Sequence, residues 1–156
     1  AITVSPAQLD SYVGQYTLTT GLTGRKALFG NLDMYSRSAG TFVVGGYYRD
    51  SYRALNSQTG VLGAPTSEAT STSRATVRVQ RFQHGSIYRV SRSGRGAPYA
   101  LWGALDTKYR DLGESRSDLG APTRSEVAIS GGRFRAYFAH GHVTVQSNGS
   151  VTVVTD

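Results

Sequence analysis

His84 and His140 occupy one position in two matching segments, Phe82-Gln83-His84-Gly85 and Phe138-Ala139-His140-Gly141, and Asn31 takes that position after Phe29-Gly30. All three side chains can both donate to and accept from a hydroxyl, which is what a sugar site repeated at equivalent turn tips would need. Turn tips are also polar and exposed for reasons unconnected with any ligand, so both readings stand at this stage. Aromatic rings are the usual platform for sugars, because a ring face packs on C–H groups while flanking polar groups take the hydroxyls. Trp102, with Tyr99 nearby, can serve as such a platform or fill the core. Tyr52 and Tyr109 fall on the apolar face of helical segments and are expected in the core, whereas Tyr47 falls off that face and is expected to be exposed. Arg53 and Arg110 follow those tyrosines. Each can fork onto an acidic glycan or carboxylate, or each can serve the dipole of a helix's last turn.

Catalysis needs a nucleophile with a base, paired carboxylates or a metal, and none of these is apparent. Asp106, Asp111 and Glu114 are expected to form a solvated helix face. Glu68 and Glu126, at near-equivalent positions after Pro65 and Pro122, read as architecture closing each loop onto the next unit. There is no Gly-x-Ser-x-Gly elbow, phosphate loop or His-Glu-x-x-His sequence, so the chain is read as a non-enzyme, with a small secreted hydrolase as the least favoured alternative. His140-Gly141-His142 offers two metal ligands without a third or fourth, and no metal or cofactor is expected. The absence of cysteine removes disulfides and thiol chemistry together.

Seventeen Lys and Arg against ten Asp and Glu give a formal charge of +7, which favours anionic partners such as acidic glycans or teichoic acid. The basic residues form no dense run and no reading motif, so nucleic acid is not expected. No run approaches the roughly 20 apolar residues of a membrane helix. The chain opens Ala1-Ile2-Thr3-Val4 without an initiator Met or a leader, as a trimmed secreted protein or a domain cut from a longer one would. A secreted, extracellular setting is the expectation.

The elements that must hold these residues follow a repeat. Leu62-Gly63-Ala64-Pro65-Thr66 returns 57 residues later as Leu119-Gly120-Ala121-Pro122-Thr123. Before each copy, Tyr48, Tyr52 and Leu55, then Leu105, Tyr109 and Leu112, keep i, i+4, i+7 helical spacing at the same offset. Residues 77–82 and 86–90 read as a hairpin around Gln83-His84-Gly85, and residues 66–75 as a loop rich in Ser and Thr. Phe134, Ala136 and Phe138 alternate with Arg133, Arg135 and Tyr137, and Asn148-Gly149 leads into a final strand free to pair with the N-terminal cap or first unit. With 156 residues, one domain is expected: a cap at 1–23, repeats at 24–66 and 75–123, and a partial repeat at 131–156. The fold class is α+β, built from short hairpins and short helices in a pseudo-symmetric arrangement.

Phe82-Gln83-His84-Gly85-Ser86-Ile87-Tyr88, Gly103 with Tyr109, Leu112 and Gly113, and Leu119-Gly120-Ala121-Pro122 together resemble one full LGFP repeat. Gly131-Gly132-Arg133-Phe134, Phe138 and Gly141 resemble part of another, and Phe29, Tyr35, Gly46, Leu55 and residues 62–65 a weaker one. The chain departs from that pattern at Ala64 and Ala121, where the family's name has Phe, and at Tyr52 and Tyr109, where Trp is usual. The resemblance implies a secreted actinobacterial module, often appended to cell-wall hydrolases or acyltransferases and anchoring them to an envelope polysaccharide such as arabinogalactan. It therefore implies a non-catalytic, lectin-like carbohydrate binder. The alternative is an assembly subunit bound to another secreted protein.

Overall fold

The computed structural model describes residues 19–21, 24–29, 32–37, 40–73, 76–91 and 96–156. The cap reading of residues 9–18 and the turn tip at Asn31 lie outside them. Within the described residues the fold is α+β, with three four-stranded antiparallel sheets and two short α-helices. The first sheet comprises β1 (Thr19–Gly21), β2 (Gly24–Phe29), β3 (Leu32–Arg37) and β4 (Gly40–Gly45) in sequential order, and runs directly into α1 (Gly46–Ala54). The second comprises β5 (Thr70–Ser71), β6 (Val77–Arg81), β7 (Gly85–Val90) and β8 (Pro98–Trp102), followed by α2 (Gly103–Asp111). The third comprises β9 (Val127–Ile129), β10 (Arg133–Phe138), β11 (Gly141–Val145) and β12 (Val151–Thr155).

Each helix serves two sheets. Tyr48 and Tyr52 of α1 pack with Tyr35 and Val44 of the first sheet and with Leu62, Phe82 and Ile87 from beyond the helix. Leu105 and Tyr109 of α2 pack with Val79, Tyr88 and Leu101 of the second sheet and with Phe138 and Val143 of the third. The aromatic geometry repeats between the two clusters. Tyr35 meets Tyr52 edge-on at 5.4 Å and Tyr88 meets Tyr109 at 5.2 Å, while Tyr52 tilts over Phe82 at 4.6 Å and Tyr109 over Phe138 at 4.5 Å. Edge-to-face and tilted pairs at these spacings contribute beyond their burial, because the positive ring edge faces a negative ring face.

Several local expectations are corrected. Leu112 caps α2 and is exposed, because the helix ends at Asp111 and the third position of the face falls beyond its last turn. Phe134 is also exposed although it alternates with the buried Ala136 and Phe138, since it lies at the start of β10, away from α2. The loop at 66–75 contributes β5, which pairs with β6 through Thr70 and Ser71. The last strand, β12, is the edge of the third sheet and pairs with β11 throughout, from Val145 opposite Val151 to Gly141 opposite Thr155. The tight turn at Asn148-Gly149 returns β12 directly along β11.

Candidate functional site

The repeated phrase is the joint between one unit and the next. Leu62 is buried beneath α1, and Gly63 turns the chain at φ +69°, a left-handed conformation that glycine adopts without a Cβ penalty. The chain then lies against the tip of the following hairpin: His84 N donates to Leu62 O at 3.0 Å, Gln83 N to Ala64 O at 3.0 Å and Thr66 N to Arg81 O at 2.9 Å. The second copy makes the same bonds. His140 N donates to Leu119 O at 3.0 Å, Ala139 N to Ala121 O at 2.9 Å and Thr123 N to Tyr137 O at 2.9 Å, around Gly120 at φ +72°. Pro65 bridges to Phe82 and Pro122 to Phe138.

One bond does not recur. In the first joint the side chain of Gln83 folds back and its Oε1 accepts from Ala64 N at 2.8 Å. Alanine stands at the corresponding position 139, and among the described residues the amide of Ala121 has no partner within the protein. Ala64 is 2% exposed, whereas Ala121 is only partly buried. Two adjoining cavities open there, of about 210 and 490 Å³, and share Val90, Ala121, Thr123 and Ala139 in their walls. Tyr99 and Pro122 also line the first, and His140 the second. The groove is largely apolar, with a half-buried phenol at one end, an exposed imidazole at the other and a free backbone donor in its wall.

Residues 62–117 match the family model of the LGFP repeat. The match covers 56 of the chain's 156 residues. No curated protein is similar enough to the chain to be matched to it. The matched LGFP repeat opens on Leu62-Gly63-Ala64-Pro65 and includes the hairpin to which that phrase is bonded, together with all of α2. An LGFP repeat fits a cell-wall-associated, non-catalytic repeat module. Among the described residues no helix is long and apolar enough to cross a membrane.

The LGFP repeat and its neighbours bring Tyr99 and His140 to one groove and scatter the other sequence-derived candidates. His84 is exposed at its hairpin tip, its ring packed beside Gly63. Trp102 is half-buried against the first cluster, and its amide donates to Glu126 Oε2 at 3.0 Å. Tyr47 is exposed, but the guanidinium of Arg89 lies over its ring at 4.2 Å and covers that face. Arg53 is held by Asp33, with Nε to Oδ2 at 2.8 Å and Nη2 to Oδ1 at 2.6 Å, and Arg49 adds a third bond at 3.1 Å. Arg110 lies 3.8 Å from Asp106 and is largely exposed.

Two expectations about acids are revised. Asp106 is buried, not solvated: its carboxylate accepts from Ser86 Oγ at 3.0 Å and from Tyr88 Oη at 3.1 Å. Burial pushes the Asp106 carboxyl upward against those two hydrogen bonds and the charge of Arg81. Glu114 is half-buried and pairs with Arg81, and the Tyr88 hydroxyl lies 3.0 Å from its Oε1. Arg81, Thr107, Arg110, Asp111 and Glu114 wall a polar recess of about 500 Å³. This network was hidden in the sequence because its members come from β6, β7, α2 and the 3-10 turn Glu114–Arg116, and only folding puts them together. Glu68 and Glu126 are architectural, but they tie each loop back to the preceding sheet: Glu68 Oε1 accepts from Val43 N at 2.9 Å, and Glu126 takes the amide of Trp102.

Proposed function

We propose that this chain is a non-catalytic carbohydrate-binding module that anchors a secreted protein to a bacterial cell-envelope polysaccharide of the arabinogalactan kind. The observation that carries the reading is the groove along Ala121, where an apolar floor meets the ring of Tyr99 and the imidazole of His140. That pairing of a C–H-packing ring with a hydroxyl-binding group is what sugar recognition requires. The LGFP repeat supports the cell-wall setting, and the net charge of +7 supports retention on an anionic envelope. The division into a cap, two repeats and a partial repeat in pseudo-symmetric arrangement belongs to the same proposal, and the recurrence of the joint's hydrogen bonds supports it.

The test is a pull-down of the purified chain on isolated mycolyl-arabinogalactan, peptidoglycan and chitin. Retention on an envelope polymer that soluble glycan competes away is the expected outcome. Retention that no soluble glycan displaces, or co-purification in fixed ratio with another secreted protein, sinks the reading. Replacing His140 by Ala should weaken retention, while His84→Ala should leave it unchanged, because only His140 faces the groove.

A further inference from the structure

We infer that the groove along Ala121 takes an amide carbonyl, and that its ligand is the acetamido group of an N-acetylated sugar. The first joint shows what fills this position when the protein supplies the occupant itself: the carboxamide of Gln83, with its oxygen on the backbone N–H of Ala64 at 2.8 Å and its Cβ beside Gly63. The second joint repeats the three backbone bonds between phrase and hairpin to within 0.1 Å. It differs in that Ala139 removes the carboxamide, leaving the Ala121 amide without a partner among the described residues, beside two cavities that Ala121 and Ala139 both line. An external group that restores the missing contact must present an acceptor oxygen on a short, partly apolar stem. An acetamido group does this: its carbonyl oxygen replaces Gln83 Oε1, and its methyl group lies against Val90, Ala121 and Ala139.

A sugar is favoured over a glutamine side chain of a partner protein because the groove continues past the carbonyl position. On one side it reaches the ring of Tyr99, on the other the exposed imidazole of His140, so the pyranose bearing the acetamido group has a stacking surface and a hydroxyl partner. The inference rests on the sugar-binding reading but moves its ligand from arabinogalactan, which has no acetamido group, to envelope glycans with N-acetylated residues. The polar recess beside Arg81 carries no such assignment, since Glu114, Tyr88 and Asp106 already occupy its guanidinium and one another.

The experiment is an amide NMR titration of the full chain with chitotetraose, with cellotetraose as a control of equal length lacking acetamido groups. The Ala121 amide should move with chitotetraose and stay still with cellotetraose, and the Ala64 amide should not respond to either. Ala139→Gln, at an exposed position, should install the occupant seen in the first joint and weaken chitotetraose binding at least tenfold. Gln83→Ala should expose the Ala64 amide and make it respond as a second site. An Ala121 amide that ignores chitotetraose, or that moves equally with cellotetraose, overturns the inference. So does a response confined to a glutamine-containing peptide. Failure of the broader reading is a separate result, namely no retention on any of the three envelope polymers.

Discussion

Tyr109 donates its hydroxyl to the carbonyl of Gly120 at 2.7 Å, across a fully buried contact between the last turn of α2 and the phrase that follows it. Tyr52 makes the same bond to Gly63, also at 2.7 Å. Each tyrosine thus fixes the phrase at the residue where the backbone turns left-handed, and packs its ring between two others. Replacing either by Phe keeps the ring and strands a buried carbonyl. We expect a loss of about 1–3 kcal/mol for each variant, read from urea unfolding with unchanged m-value. A loss indistinguishable from zero would mean that ring packing alone positions the phrase.

Gly63 and Gly120 should respond unequally to alanine. Both sit at left-handed φ, which costs an L-residue roughly 1–2 kcal/mol. A Cβ on Gly63 would also come within 2.9 Å of Gln83 Cβ, whereas on Gly120 it would meet the His140 ring at 3.1 Å and Ala139 Cβ at 3.2 Å. The exposed imidazole can turn aside, and the Cβ contact that remains at Gly120 is the looser of the two. Gly63→Ala should therefore be the more destabilising of the two, by an amount that Gln83→Gly partly restores in a double-mutant cycle.

How much of this was visible beforehand depends on the range of each interaction. The helices at Tyr48 and Leu105, the hairpin at His84 and the burial of Tyr52 and Tyr109 follow from spacing within a few residues, and the structure has them. The role of the phrase at the joint is a bond set between residues about 20 apart, and nothing in local patterning marks Ala64 and Gln83 as partners. The only trace of the groove in the sequence is Ala121, an alanine where the family's name has Phe. Its meaning needed a second alanine, at 139, to be placed beside it. The burial of Asp106 is not legible in the sequence, because an acid on a short helix is normally solvated and the groups that offset its burial, Ser86 and Tyr88, come from another element.

Glu126 should make stability depend on pH. It is 8% exposed, and burial raises its carboxyl from 4.5 to about 7, with the Trp102 amide opposing and the charge of Asp106 adding. The folded state therefore holds a proton more tightly than the unfolded chain. Stability from this group is greatest below the unfolded value, falls as pH rises from about 4.5 to about 7, and is flat above. Glu126→Gln keeps an acceptor for the Trp102 amide and removes the titration. It should flatten the fall between those limits and raise the melting temperature above pH 7, as followed by circular dichroism at several pH values.

The Asp33 carboxylate is fully buried, and among the described residues Arg53 makes two of the three bonds it takes from arginine. Arg53→Met should consequently destabilise more than Arg49→Met, approaching the roughly 3–5 kcal/mol seen when a buried charge loses its partner. Asp33→Ala leaves two arginines that can reach solvent and should cost less than Arg53→Met. The order of the three unfolding midpoints in urea checks the assignment. If Arg49→Met proves the most damaging, the bidentate contact is not what holds the acid.

The bonding of each phrase to the hairpin beyond it has a consequence for how the molecule comes apart. Phe82 belongs to the second hairpin yet completes the cluster around Tyr52, and Phe138 of the third sheet completes the cluster around Tyr109. Neither helix has a full set of apolar neighbours until the following hairpin has formed. Loss of either hairpin therefore opens the cluster around the helix before it, and a chain cut between α1 and Phe82 leaves both fragments with an open face.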